Sequence, residues 1–160
     1  MIIEGTWWNE LGSKMDIVQD DADPRSFTGT YHTNVGQATE RSYPLVGRCD
    51  SFGGMNQTIG WVVAFDPPDK APTGEPPNQP SLTSWSGQVH EVKFEGRDVM
   101  FIATTWILTR MTDPGDDWKS TLVNRDYFFR NPPTSEQVKV AQEFGKAARF
   151  FIAATAFNHA

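Results

Sequence analysis

The sequence predicts an all-β protein, an eight-stranded antiparallel up-and-down barrel with a C-terminal helical extension. Three observations carry that expectation. Short segments of strand composition recur at regular spacing, separated by Gly, Pro, Asp or Asn clusters. Aromatic residues make up 12% of the 160 residues, including six Trp, and such rings fit a pleated, half-buried surface. After residue 131 the pattern turns helical, which divides the chain into a barrel over 1–131 and an extension over 132–160.

The expected strands are Gly5 to Asn9, Met15 to Gln19, Phe27 to Thr33, Tyr43 to Asp50, Thr58 to Phe65, Leu82 to Val92, Val99 to Arg110 and Lys119 to Phe129. The linkers "DDADPRS" and "EGRD" have hairpin-turn composition, which favours sequential antiparallel pairing. Closing such a set into a barrel removes the exposed sheet edges that invite aggregation. "DPPDKAPTGEPPNQP", Asp66 to Pro80, has too many prolines for strand pairing and is expected to be a surface loop. In "TSEQVKVAQEFGKAARFFIAAT", Thr134 or Ser135 followed by Glu136 and Gln137 forms a capping-box pattern opening a helix. The later run "RFFIAATAF" is apolar all round, so this helix is expected to dock on the barrel or to join subunits.

The formal charge of −6 argues against nucleic acid or an anionic membrane as partner, since either needs a basic patch and the Lys and Arg here are scattered. Cys49 is the single cysteine, expected as a free structural thiol, with a bridge between subunits left open. His32, His90 and His159 lack zinc-site spacing, so no metal is expected. No His shares the inward parity with a nucleophile and no nucleophile elbow occurs, so catalysis is not expected. The chain as given shows neither a signal peptide nor a membrane-spanning run.

Strand residues two apart share a face. Trp7 thus shares one with Asn9, and the chain continues to Leu11 and Ser13. Tyr31 goes with Thr33, Trp61 with Val63 and Phe65, Thr83 with Trp85, and Trp106 with Leu108. Rings and hydrogen-bonding groups, with Asp126 in the last strand, therefore occupy one face. Buried polar groups need partners. Either they satisfy one another and bound water, or a small ligand in the barrel supplies those partners.

"GTWWNELGSKM", "FTGTYHTNVG", "YPLVGR", "IGWVVAF", "SLTSWSGQV", "TTWILT" and "DDWKSTLVNRDYF" together resemble the avidin and streptavidin family, in its order and spacing over about residues 5 to 129. The resemblance implies an eight-stranded barrel, a secreted homotetramer, and high-affinity noncovalent binding of biotin for vitamin sequestration or defence, without catalysis or cofactor. It places Asn9, Ser13 and Tyr31 at the ureido oxygen, and Asp126 and Thr33 at the ureido nitrogens. Thr83 falls at the ligand sulfur, while Ser81 and the loop of Val35, Gly36 and Gln37 fall near the valeryl carboxylate. Leu11 belongs to the same set, and Phe65, Trp85, Trp106 and Leu108 to the apolar walls. Trp118, which follows an acidic turn, matches the residue that closes a neighbouring subunit's site. Phe65 stands where the family usually has tryptophan, and Gln37 and the proline-rich loop are both longer than usual. A barrel drifted to another small apolar ligand or to protein partners is the alternative; the intact polar set argues against it.

Overall fold

The computed structural model describes residues 3–35, 42–51, 54–66 and 79–156, with side chains as far as Lys146. Gly36, Gln37 and most of the proline-rich segment lie outside the described residues, as do the side chains of the apolar run after Ala148. Eight strands form one closed antiparallel barrel in chain order. They are β1 (Gly5–Asn9), β2 (Lys14–Gln19), β3 (Ser26–His32), β4 (Ser42–Cys49), β5 (Thr58–Phe65), β6 (Ser81–Phe94), β7 (Arg97–Arg110) and β8 (Thr121–Phe129). The long β6–β7 hairpin turns at Glu95 and Gly96, both at positive φ, which is the backbone that a two-residue turn between right-twisted strands requires.

Most expected limits move by one or two residues, and at the last strand a different element intervenes. The last strand was expected from Lys119, whereas Pro114–Lys119 forms a short 3-10 helix and β8 starts at Thr121. Pro at the start of that turn and Asp116 and Asp117 beside it suit a helix N-terminus, where a missing N–H costs nothing and negative charge is favoured.

Alternation separates two environments inside the barrel. Away from the β1–β2 turn, Trp7, Ile17, Phe27, Ile59, Trp61, Val89, Ile102 and Phe128 are buried and pack into one apolar cluster. Trp61 stacks on Trp85 at 5.5 Å and meets the edge of Phe128 at 5.4 Å. Gly47 faces inward on β4, and the Phe27 ring occupies the space its side chain would take. Arg130 covers the far end, its guanidinium 3.9 Å from the Trp7 ring centre, while the Trp7 indole donates to the Ile3 carbonyl. The barrel closes where β1 meets β8, over the pairs Trp8↔Phe129 and Asn9↔Phe128.

Outside the barrel lies α1 (Ser135–Ala156). Its start is a reciprocal cap: the Gln137 N–H donates to Thr134 Oγ1 at 3.2 Å, and the Thr134 N–H donates to Gln137 Oε1 at 2.9 Å. Val138 and Ala141 pack against Phe101, Tyr127 and Phe129, which sit on the outer faces of β7 and β8 and form a second buried cluster. Phe144 adds an edge contact to Phe101 and lies 4.8 Å from the ring of His90. The first three turns of α1 thus dock on the barrel, while the apolar run on which the docking expectation rests lies outside the described side chains. Among the described residues no helix is long and apolar enough to cross a membrane.

Two expected outcomes follow from this packing. Gly47→Ala would bring a methyl within 2.2 Å of the Phe27 ring and 2.6 Å of the Gly60 carbonyl, so denaturant unfolding should show a loss of about 1–3 kcal/mol. Burial under α1 pushes the His90 imidazole below its usual 6.5, so the folded state holds fewer protons than the unfolded one just below that pH. Its contribution to stability is therefore complete above about pH 6.5 and falls as the pH drops through the window beneath it. Thermal melting of His90→Phe should lose that acid-side slope.

Candidate functional site

The polar half of the interior lies at the end bearing the β1–β2 turn. Asn9 ends β1, and its Oδ1 accepts the backbone N–H groups of Leu11 at 3.1 Å and Ser13 at 2.8 Å. This Asx turn leaves the Asn9 amide nitrogen, a donor, for the interior. Ser13 is fully buried, and its Oγ accepts the Asn34 N–H at 2.9 Å, which frees the hydroxyl proton to donate elsewhere. Thr33, just past β3, donates to the Val35 carbonyl at 2.9 Å and accepts the Val35 N–H at 3.3 Å.

Opposite them, Asp126 on β8 is only 5% exposed. The Trp85 indole donates to one carboxylate oxygen and the Trp106 indole to the other, each at 3.0 Å. Burial raises the Asp126 pKa from its usual range, and the two indoles and the Asn9 side chain oppose that rise by stabilising the charged form. Tyr31 moves the same way: burial first, then the negative charge of Asp126, holds its phenol far above the ordinary value. Tyr31 is thereby kept as an O–H donor at any physiological pH.

Rings enclose these groups. Tyr31 lies 5.1 Å from Trp85 and 6.1 Å edge-on from Phe65. Phe65 also meets Tyr43 at 4.9 Å. Thr83 is buried on β6 between Ser81, the partner of Phe65, and Trp85, and it faces Val63 and Leu108 across the sheet. The interior wall therefore offers amide and hydroxyl donors on β1 to β3, a carboxylate acceptor on β8, and aromatic surface between. Such a wall suits a compact ligand that carries both an acceptor and donors.

The structure brings Asn9, Ser13, Tyr31, Thr33, Phe65, Thr83, Trp85 and Asp126 together as buried side chains, with Ser81, Trp106 and Leu108 half-buried nearer the mouth. Leu11 and Val35 are 52% and 45% exposed on the rim loops. Trp118 is not in its own barrel's wall: it stands 78% exposed on the 3-10 turn, with Lys119 Nζ 4.9 Å from its ring. Gln37 and Gly36 fall outside the described residues.

Two neighbours of the site were not singled out by sequence. Tyr43 shares the inward parity of Leu45, a signal that could have identified it. Glu10 lies just past β1, and its Oε2 accepts the Tyr127 N–H at 2.9 Å. Burial, then the charge of Asp126, raises its pKa against the opposing pull of that N–H. Of the described histidines, His32 bonds Ser42 on the outer surface and His90 sits under α1. Among the described residues, no three His, Cys, Asp or Glu are grouped to hold a metal ion.

The Avidin family model matches residues 1–131. Among similar proteins, "Avidin" from Gallus gallus is 31% identical over 132 residues, which span 80% of this chain and 77% of that protein. The family match stops just ahead of the Thr134 cap, so α1 lies beyond it. The closed barrel, its aromatic and polar inner wall and this match over most of its length agree: the chain belongs to the avidin family.

Proposed function

We propose that this protein binds biotin noncovalently inside the barrel and performs no chemistry on it. The observation that carries this reading is the Asp126 carboxylate, held on the inner wall by two indole N–H groups and faced by hydroxyl and amide donors. A ureido group has one strongly accepting oxygen and two N–H donors. Asn9, Ser13 and Tyr31 would donate to that oxygen, drawing charge onto it and strengthening the nitrogens as donors to Asp126 and Thr33. Thr83 would meet the ring sulfur. Ser81, Val35 and Gln37 would meet the valeryl tail, with Leu11, Phe65, Trp85, Trp106 and Leu108 as apolar contacts.

Preorganisation is what makes such a wall bind tightly. Asn9 is fixed by two backbone N–H groups, and Asp126 by two indoles, so little freedom remains to be lost when the ligand enters. Phe65 supplies less surface than a tryptophan would, but it is braced by Tyr31 and Tyr43. The protein would act as a homotetramer outside the cell, sequestering the vitamin, with Trp118 of each subunit laid over a neighbour's mouth. An apolar ring 78% exposed on a turn is the surface such a contact would cover.

Biotin at about a thousand times its dissociation constant should add roughly 4 kcal/mol of stability, seen as a large upward shift in Tm; no shift would sink this reading. Asp126→Ala should weaken binding by about 2–3 kcal/mol in titration calorimetry, since a ligand N–H loses a charged acceptor. Trp118→Lys should both speed biotin release and shift the sedimentation profile toward smaller species. A monomeric variant with undiminished affinity would refute the role given to Trp118.

A further inference from the structure

The peptide group joining Asp126 to Tyr127 is held at both ends by side chains. On the barrel side, the Thr104 hydroxyl donates to the Asp126 carbonyl at 2.9 Å. On the other side, Glu10 Oε2 accepts the Tyr127 N–H at 2.9 Å. Glu10 reaches this N–H because the antiparallel β1–β8 ladder ends at Asn9↔Phe128, one pair short of Glu10↔Tyr127, and a side chain continues what the backbone no longer pairs.

The Tyr127 ring packs against α1, but the space beside the Asp126 end of the peptide is not filled. A cavity of about 480 Å³ opens there, lined by Glu10, Asp126, Arg125 and Trp106 and by Gln142 and Lys146 of α1. The β7–β8 ladder holds one edge of β8 here, at Thr104↔Asp126 and Ala103↔Tyr127, and beside the open space the two side-chain hydrogen bonds add to it in fixing the peptide plane that carries the Asp126 Cα–Cβ bond.

We propose that Glu10 is a positioning residue for ligand binding: it clasps β8 beyond the end of the β1–β8 ladder and so aims the Asp126 carboxylate into the barrel. This rests on the biotin reading above. Glu10 touches no ligand in this scheme; it acts through Tyr127 and Asp126, with Thr104 as the second pin. A carboxylate is a stronger acceptor than the amide oxygen that would occupy the same place in a glutamine, yet both can receive one N–H.

The test compares biotin dissociation rates of the full-length wild type with those of Glu10→Ala, Glu10→Gln, Thr104→Val and Asp126→Ala, alongside Tyr127 amide exchange by NMR. Glu10→Ala should release biotin about tenfold faster and expose the Tyr127 amide to exchange, because the N–H loses its acceptor. Glu10→Gln should restore the rate to within about threefold of wild type, as the clasp is remade. Thr104→Val should accelerate release like Glu10→Ala. Wild-type release rates in Glu10→Ala, with Asp126→Ala impaired, would overturn the positioning role and leave the biotin reading standing. A wild type that holds no biotin would overturn both. Fast release in Glu10→Ala that Glu10→Gln fails to relieve would also overturn it, since the acceptor would not be what matters.

Discussion

A carboxylate taken out of water must find donors or a proton, and the upper half of this barrel is arranged around that demand. Asp126 is buried on the inner wall, and the groups that keep its charge tolerable are the indoles of Trp85 and Trp106 and the side chain of Asn9. Each belongs to a different strand, so the site exists only once the sheet has closed. The negative charge spreads its influence outward. It adds to burial in raising the Tyr31 phenol, and more weakly in raising Glu10 at the seam. One carboxylate thus touches the titration of two neighbouring side chains and receives the indoles of two aromatic walls.

The lower half makes such an upper half affordable. Trp7, Phe27, Ile102 and Phe128 are buried almost completely, and the Trp61–Trp85 stack forms the boundary between the two regions. Apolar burial of this kind supplies the favourable term for folding, while the polar layer above it contributes little net stability and much specificity. The division is also geometric. Trp85 puts its ring on Trp61 and its indole N–H on Asp126, so one side chain belongs to both layers.

Much of this was legible in sequence because a strand has a period of two. The parity that joined Trp7 to Asn9, Tyr31 to Thr33 and Thr83 to Trp85 is the parity of the buried face, and strand limits agree to within a few residues. The 3-10 turn at Pro114–Lys119 was not visible, since six residues of turn composition carry no periodicity to read. Glu10 escaped for another reason. Its even parity places it outside the wall, as alternation demands, and only the early end of the β1–β8 ladder brings its carboxylate back to Tyr127. The run Asp126 to Phe129 held a signal that alternation alone misreads: four consecutive buried residues mean a strand covered on both faces.

That second cover is α1, and it changes what β8 can do. Phe128 faces the barrel core, while Tyr127 and Phe129 face the helix, so the end of β8 is clamped between two apolar clusters. One turn earlier in space the clamp opens: Gly145 brings the helix close to Tyr127 and Arg125, yet a cavity remains beside Asp126 and Glu10. Asp126 thus sits next to a rigid anchor and beside a gap. Phe128 and Phe129 anchor the strand, and at the Asp126–Tyr127 peptide a hydrogen bond donated by Thr104 and one accepted by Glu10 are added. The helix lies beyond the family match, so an element outside the matched region lines the cavity beside Asp126.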